Sequence, residues 1–272
     1  MSRHAIRQNL QERIESIESV VREIRFPDDQ EAALQQDREW CEVVTDEGTQ
    51  KIRFHDYDQI YQVPGLYEEL FYDRLECQSP YRVVELLDDV VEEFNEMIDD
   101  LKVIEIGAGN GIVGETLNAF GAEKVVGIDI IEEAREAAVR DRPEVYDDYH
   151  VVDLTDISEH EEKELRKDEF NCLVTVAAMG FGDLPPTAFA KALDLIEIDG
   201  WLAFNLKEDF VQASDRSGFA TLIHELQKKK IIQVQAYRRY RHRLSLAGES
   251  LYYTAFIARK LQDVPDELLG GA

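Results

Sequence analysis

The chain is poor in cysteine for its length and has no recognisable metal-binding pattern. Its three cysteines among 272 residues, Cys41, Cys77 and Cys172, are scattered and fit neither a disulfide framework nor a CxxC site. The six histidines show no ligand spacing, so we predict no metal. Such cysteine usage is typical of a reducing compartment, and we predict a cytoplasmic location.

Long apolar runs and an excess of positive charge are also missing. No window approaches the ~18 apolar residues of a membrane helix, and the charged N-terminus lacks the apolar segment of a signal peptide. The net charge of −27, from 57 acidic and 30 basic residues, repels phosphate backbones. The sequence therefore disfavours membranes and nucleic acids as partners and favours a small-molecule substrate.

Residues 1–54 are predicted to form an N-terminal helical extension. Five apolar residues recur at steps of four and three: Leu10, Ile14, Ile17, Val21 and Ile24. This spacing places them on one face of a helix that Pro27 ends. The face packs either on the chain's own domain or on a second copy, so a homodimer through this helix is an alternative. The pattern does not predict the structure of residues 28–50.

Residues 55–260 alternate short apolar strands with helices. Strands are predicted at 103–106, 124–128, 150–152, 171–177 and 201–206, and helices at 81–97, 111–120, 131–140 and 187–196, with Ser79 as the N-cap of the first. Two further strand-like runs, 231–235 and 252–258, flank a polar stretch. We predict an α/β domain with a Rossmann-like, doubly wound, mostly parallel sheet and a terminal antiparallel strand pair, followed by a loose tail at 261–272.

The segment VIEIGAGNG, residues 103–111, is the part of the sequence that indicates a ligand-binding site. An apolar strand runs into Gly107, Gly109 and Gly111, where the lack of Cβ atoms lets the backbone turn sharply and approach a ligand. Acids stand near three strand ends, at Glu105, Asp129 and Asp153. Asp129 could accept two hydrogen bonds from a ribose diol, and Asp153 could accept one from an adenine amino group.

Each of these three acids also has a structural interpretation. Glu105 could pair with a lysine or a backbone amide. Asp129 could cap the helix that follows it, and Asp153 could belong to an ordinary turn.

The segment from Glu105 to Gly111 matches acid-x-Gly-x-Gly-x-Gly, the first motif of the class I S-adenosylmethionine-dependent methyltransferases. Over about residues 57–260 the chain resembles this family, and the resemblance implies S-adenosyl-L-methionine as cofactor. In the family, the glycine turn wraps the methionine part, and acids at the next strand ends hold the ribose and adenine. The implied cofactor-binding residues are Tyr57, Tyr72, Glu105, Gly107, Ala108, Gly109, Gly111, Asp129, Ile130, Asp153, Leu154 and Ala177.

Ahead of this motif, the segments Tyr57-Asp58 and Tyr72…Ser79-Pro80 resemble the same region of small-molecule methyltransferases related to methyltransferase-like protein 27. This resemblance implies that Tyr57 and Tyr72 belong to an aromatic lid, whereas composition alone favours core packing for them.

The sequence identifies no catalytic residue firmly. Glu208 and Asp209 follow the fifth strand and are candidates for a base or for binding a cationic group, and Tyr72 is a further candidate. The basic run 228–243 could bind an anionic substrate or pair with the chain's own acids. We therefore predict in-line methyl transfer to a small-molecule acceptor whose identity the sequence does not reveal.

Two other functions fit parts of the pattern. Gly109-x-Gly111-x-x-Gly114, with Asp129 twenty residues after Gly109, matches the dinucleotide fingerprint of an NAD-dependent oxidoreductase. Against this, the turn already begins at Gly107, and Glu105 lies where the dinucleotide strand is normally apolar. The other alternative is a non-catalytic S-adenosylmethionine-binding scaffold or regulatory protein.

Overall fold

Two sheets organise the chain in the computed structural model, which describes residues 2–27, 36–180, 182–208 and 217–270. The helices are α1 Arg3–Ser16, α2 Tyr57–Gln62, α3 Leu66–Glu68, α4 Ser79–Glu93, α5 Ile112–Phe120, α6 Glu132–Asp141, α7 Glu159–Arg166, α8 Pro186–Leu195 and α9 Phe219–Lys228. The strands are β1 Glu23–Arg25, β2 Trp40–Thr45, β3 Gly48–Arg53, β4 Lys102–Ile106, β5 Lys124–Asp129, β6 Asp148–Val151, β7 Cys172–Thr175, β8 Trp201–Lys207, β9 Ile232–Leu244 and β10 Ser250–Lys260. A π-helical segment, Glu69–Arg74, follows α3.

The larger sheet has seven strands in the order β6-β5-β4-β7-β8-β10-β9. The first five strands in this order are parallel, and β10 runs antiparallel to both β8 and β9. Its central strands are apolar because both faces are covered by helices. Along β7, Leu173 packs in the cluster that contains α8, whereas Cys172 and Val174 pack in the cluster that contains α4 and α5. The predicted α/β fold and its terminal antiparallel pair are confirmed.

The predicted N-terminal helix is shorter than its apolar spacing suggested. α1 ends at Ser16, Ile17 already has extended backbone angles, and Ile24 lies in β1. There Ile24 pairs with Val43 in a three-stranded antiparallel sheet and is buried in its core. The prediction of one helix up to Pro27 is therefore wrong, because burial between strands outweighs a helical spacing.

α1 packs on α4 and α5 of its own chain. Arg3 reaches Asp88 of α4 at 2.7 Å, and Arg13 reaches Glu115 of α5 at 3.1 Å. Ile6 is buried. These contacts agree with packing on the chain's own domain, and the homodimer stays a prediction.

The terminal strand pair is a long hairpin that includes most of the predicted polar stretch. Its arginines leave the sheet edge to meet acids: Arg238 contacts Asp89 at 3.0 Å, and Arg241 contacts Glu76 at 2.7 Å. The predicted short strands are therefore wrong in length, since paired arginines are compatible with a strand. None of the helices in the described ranges has both the length and the apolar composition needed to cross a bilayer.

Candidate functional site

The carboxyl ends of β4 to β7 meet at one edge of the larger sheet, below a cavity of about 280 Å³. We call it the outer cavity. It brings together seven of the residues predicted from sequence: Tyr57, Gly107, Asp129, Ile130, Asp153, Leu154 and Ala177. Ligands of open α/β sheets bind at this edge.

A second cavity of about 70 Å³, the inner cavity, adjoins the outer one. The two share walls at Gly107, Val176 and Ala177. Of the predicted residues, Ala108, Gly109 and Tyr72 line only the inner cavity. The arrangement places a smaller cavity beside the larger one.

The glycine turn, residues 107–111, has backbone angles that favour glycine. Gly107 and Gly109 have φ of 70° and 52°, in the left-handed region. A Cβ on Gly107 would lie 2.5 Å from the Cβ of Ala178, and a Cβ on Gly109 would overlap the hydroxyl of Tyr61. The turn is tied to β5, because the Ala108 N–H donates to the Ile128 carbonyl at 3.0 Å.

Asp129, at the end of β5, supports the glycine turn directly. Its Oδ2 accepts the Gly109 N–H at 2.9 Å, and its Oδ1 accepts the N–H groups of Ile130 and Ile131 at 2.7 and 3.3 Å. Burial raises the pKa of Asp129, although these three donors oppose the shift. Each carboxylate oxygen has two acceptor positions, so Oδ2 keeps one position for a ligand hydroxyl.

Apolar side chains accompany Asp153, another acid of the outer cavity. Ile130 is 59% exposed, although it follows a buried strand, and Leu154 is buried. Asp153 accepts hydrogen bonds from the Thr155 N–H and hydroxyl at 2.8 and 2.7 Å. These bonds lower the pKa of Asp153. They also form the ordinary turn that the sequence offered as the structural interpretation of this residue. Asp153 thus shapes a turn and lines the cavity as well.

Three predicted residues do not reach either cavity. Glu105 is buried beneath the glycine turn, where it accepts the Tyr146 hydroxyl at 3.0 Å. A Cβ on Gly111 would meet Val145 at 2.9 Å, in the interior. Glu208 pairs with Arg239 at the surface. Asp209 lies outside the described residues.

Glu105 should make stability depend on pH. Burial raises its pKa well above the ordinary 4.5, so the folded protein binds the proton more tightly than the unfolded one. Stability from this group is present below the unfolded pKa and is lost as the pH rises towards the folded pKa. We expect Glu105→Gln to gain stability relative to the wild type as the pH rises, by up to about 1.4 kcal/mol per pH unit.

Urea unfolding of both proteins between about pH 5 and about pH 8 measures this effect, since other titrating groups cancel in the difference. A difference that does not change with pH would contradict it.

Tyrosines of α2 and α3 cover the site. The rings of Tyr57 and Tyr61 stack with centroids 6.0 Å apart, and the rings of Tyr61 and Tyr67 are 5.3 Å apart. We call these three residues the aromatic cover. Just before α2, His55 bonds Asp183, which lies beyond β7, at 2.8 Å. Tyr57 thus covers the cleft and also packs against core residues. It combines the two interpretations of this residue, an aromatic lid and core packing.

Tyr72 is a poor candidate for a base. It lines the inner cavity, and burial raises its pKa well above 10.0, so the phenol keeps its proton. Among the residues that the structure describes, no group of three or more His, Cys, Asp or Glu side chains could hold a metal.

Sequence reasoning missed a buried hydrogen-bond chain beside the inner cavity. Asn205 of β8 contacts Tyr240 of β9 at 2.5 Å, and Tyr240 contacts Ser79 at 2.7 Å. The Ser79 Oγ is 2.6 Å from the Nδ1 of His242. The predicted N-cap role of Ser79 is therefore wrong: Gln78 precedes α4, and the Ser79 hydroxyl points into this chain. Burial and the adjacent Arg243 lower the pKa of His242 well below 6.5.

A buried ion pair anchors α3 to the floor of the site and was also missed. Arg142, with a side chain 1% exposed, reaches Glu68 at 2.8 Å and Glu115 at 2.9 Å. Glu68 also accepts the amide of Asn110, in the glycine turn, at 2.6 Å. Arg142 follows α6 in a charged segment, and its sequence neighbours give no signal of burial.

The basic run 228–243 is largely neutralised by the chain itself. Lys228, Lys229, Arg238, Arg239, Arg241 and Arg243 each pair with a glutamate or an aspartate. These pairs agree with the interpretation that the run balances the chain's surplus acids.

No protein-family model and no curated protein matches the chain. Among solved structures it is similar to the N-methyltransferase NodS of Bradyrhizobium japonicum with S-adenosyl-L-homocysteine, at 18% identity and a TM-score of 0.46, over 66% of this chain and 86% of that one. It is also similar to magnesium protoporphyrin IX methyltransferase of Synechocystis with the same ligand, at 14% identity and a TM-score of 0.46, over 66% and 83%. It is similar as well to the ribosomal protein L11 methylase of Lactobacillus delbrueckii, at 15% identity and a TM-score of 0.44, over 68% of this chain and 82% of that one.

At these identities the likeness concerns the fold alone. The strand order of the larger sheet by itself defines a Rossmann-like, doubly wound α/β fold. The narrower likeness to methyltransferase-like protein 27 stays a prediction.

Proposed function

We propose that the chain is an S-adenosylmethionine-dependent methyltransferase that acts on a small molecule. The observation that carries the proposal is the convergence of Gly107, Asp129, Asp153 and Leu154 on one cavity of about 280 Å³. This volume is close to the roughly 300 Å³ at which small-molecule sites begin.

The residues of the outer cavity suit an adenosyl group. The Asp129 carboxylate can accept a hydroxyl proton, the Asp153 carboxylate can accept an amino proton, and Ile130 and Leu154 offer apolar surface to a ring. When bound, S-adenosylmethionine supplies a methyl group already activated on a sulfonium. The chain's own part is then to align the partners and exclude water, which the aromatic cover suits.

The acceptor is proposed to be small because the inner cavity measures only about 70 Å³ and is lined by aromatic rings, among them Phe54, Phe71 and Tyr253. The net charge of −27 also opposes a nucleic-acid acceptor. NAD is disfavoured because the dinucleotide fold orders its strands 3-2-1-4-5-6, whereas here the antiparallel strand β10 lies between β8 and β9.

Calorimetry with S-adenosylhomocysteine and with NAD tests the cofactor. We expect one molecule of S-adenosylhomocysteine to bind per chain, with a negative heat-capacity change from apolar burial, and no binding of NAD. Tight NAD binding without S-adenosylhomocysteine binding would overturn the proposal.

A radiolabelled methyl screen against metabolite, RNA and protein fractions tests the acceptor. We expect label in the metabolite fraction. Label in RNA or protein alone would contradict a small-molecule acceptor, and binding without transfer to any fraction would favour the scaffold alternative.

A further inference from the structure

The walls of the two cavities differ in charge. Four carboxylates line the outer cavity: Asp58, Asp129, Asp153 and Asp183. The described residues that line the inner cavity include no carboxylate, and their polar side chains include His242 and Arg243, whose guanidinium is paired with Glu39. In a chain of net charge −27, this absence is compatible with a ligand group that is itself anionic.

The hydrogen-bond chain beside the inner cavity has a fixed direction. The Ala177 N–H donates to the Oδ1 of Asn205 at 2.7 Å, so the amide of Asn205 must point its Nδ2 at Tyr240. The Tyr240 oxygen therefore accepts, and its own proton goes to Ser79. Ser79 accepts from Tyr240 and, at 3.3 Å, from the Nδ2 of Asn205, which leaves its own proton for the Nδ1 of His242. The reverse order would bury the Tyr240 proton without a partner, at a cost of about 1–3 kcal/mol.

This direction decides which ring nitrogen of His242 carries the proton. Because Nδ1 accepts from Ser79, the neutral ring has its hydrogen on Nε2. Within the described part of the chain Nε2 has no hydrogen-bond partner. It is also not among the buried atoms that are sealed without a partner, so it faces the cavity that the ring lines. His242 thus presents an N–H donor to the inner cavity.

Resting on the methyltransferase function proposed above, we propose that His242 binds the methyl acceptor through Nε2–H and that the acceptor is a small carboxylate. A ring nitrogen that already holds a proton cannot remove one, and the described lining has no carboxylate to act as base. A carboxylate acceptor has no proton to lose. Its oxygen forms the new O–C bond, the S–C bond breaks with its electron pair left on sulfur, and a neutral ester and thioether result.

The tautomer of His242 is measured on the wild-type protein by two-dimensional ¹H–¹⁵N NMR of the imidazole ring. We expect the Nε2–H form. The Nδ1–H form would overturn the proposal, because Nε2 would then be a free base. Asn205→Asp is the matched variant: an ionised carboxylate accepts the Tyr240 proton, reverses the chain and is expected to switch the ring to Nδ1–H.

The ligand is tested with acetate and its neutral isostere acetamide, added to the protein saturated with S-adenosylhomocysteine. We expect acetate to shift the His242 ring signals saturably and acetamide to leave them unchanged. By calorimetry, His242→Gln, whose amide can replace the Nε2–H donor, should keep acetate binding. His242→Asn, which is too short to do so, should lose it. No saturable acetate shift, or equal shifts from both probes, would overturn the proposal.

The carboxylate of the cofactor's methionine part is the other group that His242 could bind in the same way. If His242→Asn weakens S-adenosylhomocysteine but not 5′-methylthioadenosine, which lacks that carboxylate, His242 serves the cofactor and the acceptor proposal is wrong. Failure of S-adenosylhomocysteine to bind the wild type would instead count against the methyltransferase function, and the tautomer measurement needs no cofactor.

Discussion

Asp129→Ala is expected to lower the affinity for S-adenosylhomocysteine by about 100-fold, close to 3 kcal/mol, since hydrogen bonds to a charged group contribute about 1.5–3 kcal/mol each. The variant loses the carboxylate that would hold a ribose hydroxyl. It also frees the Gly109 N–H, so the glycine turn loses its tie to the end of β5. Calorimetry measures the change directly.

Asp147→Ala is the matched control. Asp147 accepts the backbone N–H of Val125 at 2.9 Å, at the opposite end of the same strand, and it lines neither cavity. Its replacement should leave the affinity unchanged. The affinity of Asp129→Asn should fall between those of Asp129→Ala and the wild type, because one acceptor oxygen remains. Equal affinities of Asp129→Ala and the wild type would remove Asp129 from the site.

Arg142→Met is expected to destabilise the fold by about 3–5 kcal/mol, because it leaves the Glu68 carboxylate buried without its charged partner. Unfolding in urea measures the loss as a lower midpoint with an unchanged slope. Adding Glu68→Gln should recover part of the stability, since the stranded charge is then removed.

Arg135→Met serves as its control, because Arg135 pairs with Glu132 on the exposed face of α6 and its side chain is 45% exposed. We expect no measurable change in the midpoint for this variant. Similar losses in both variants would show that the burial of Arg142 contributes nothing special.

Sequence periodicity predicted the central sheet well because each strand there satisfies a local rule. The apolar run before Gly107 and the acid that ends β5 lie at positions that short buried strands dictate. The same rules failed at α1, where the burial of Ile24 depends on β2, about twenty residues further along the chain. Helix α7 was missed because its residues are almost all charged.

The site was predictable only where it follows from one strand end at a time. Asp129, Asp153 and Leu154 were found from the sequence and share a cavity. His242 was missed because its neighbourhood unites β9 with α4 and β8, and no spacing in the sequence links those segments. Glu105 matches the family motif, yet it bonds Tyr146 below the turn and does not reach the cavity.

The Tyr61 hydroxyl lies directly against Gly109, so this side chain covers part of the glycine turn. We expect α2 to move and the bond between His55 and Asp183 to break when the product leaves. We therefore expect this conformational change to limit the turnover rate, on the microsecond to millisecond timescale of such motions. Turnover would then slow as solvent viscosity rises.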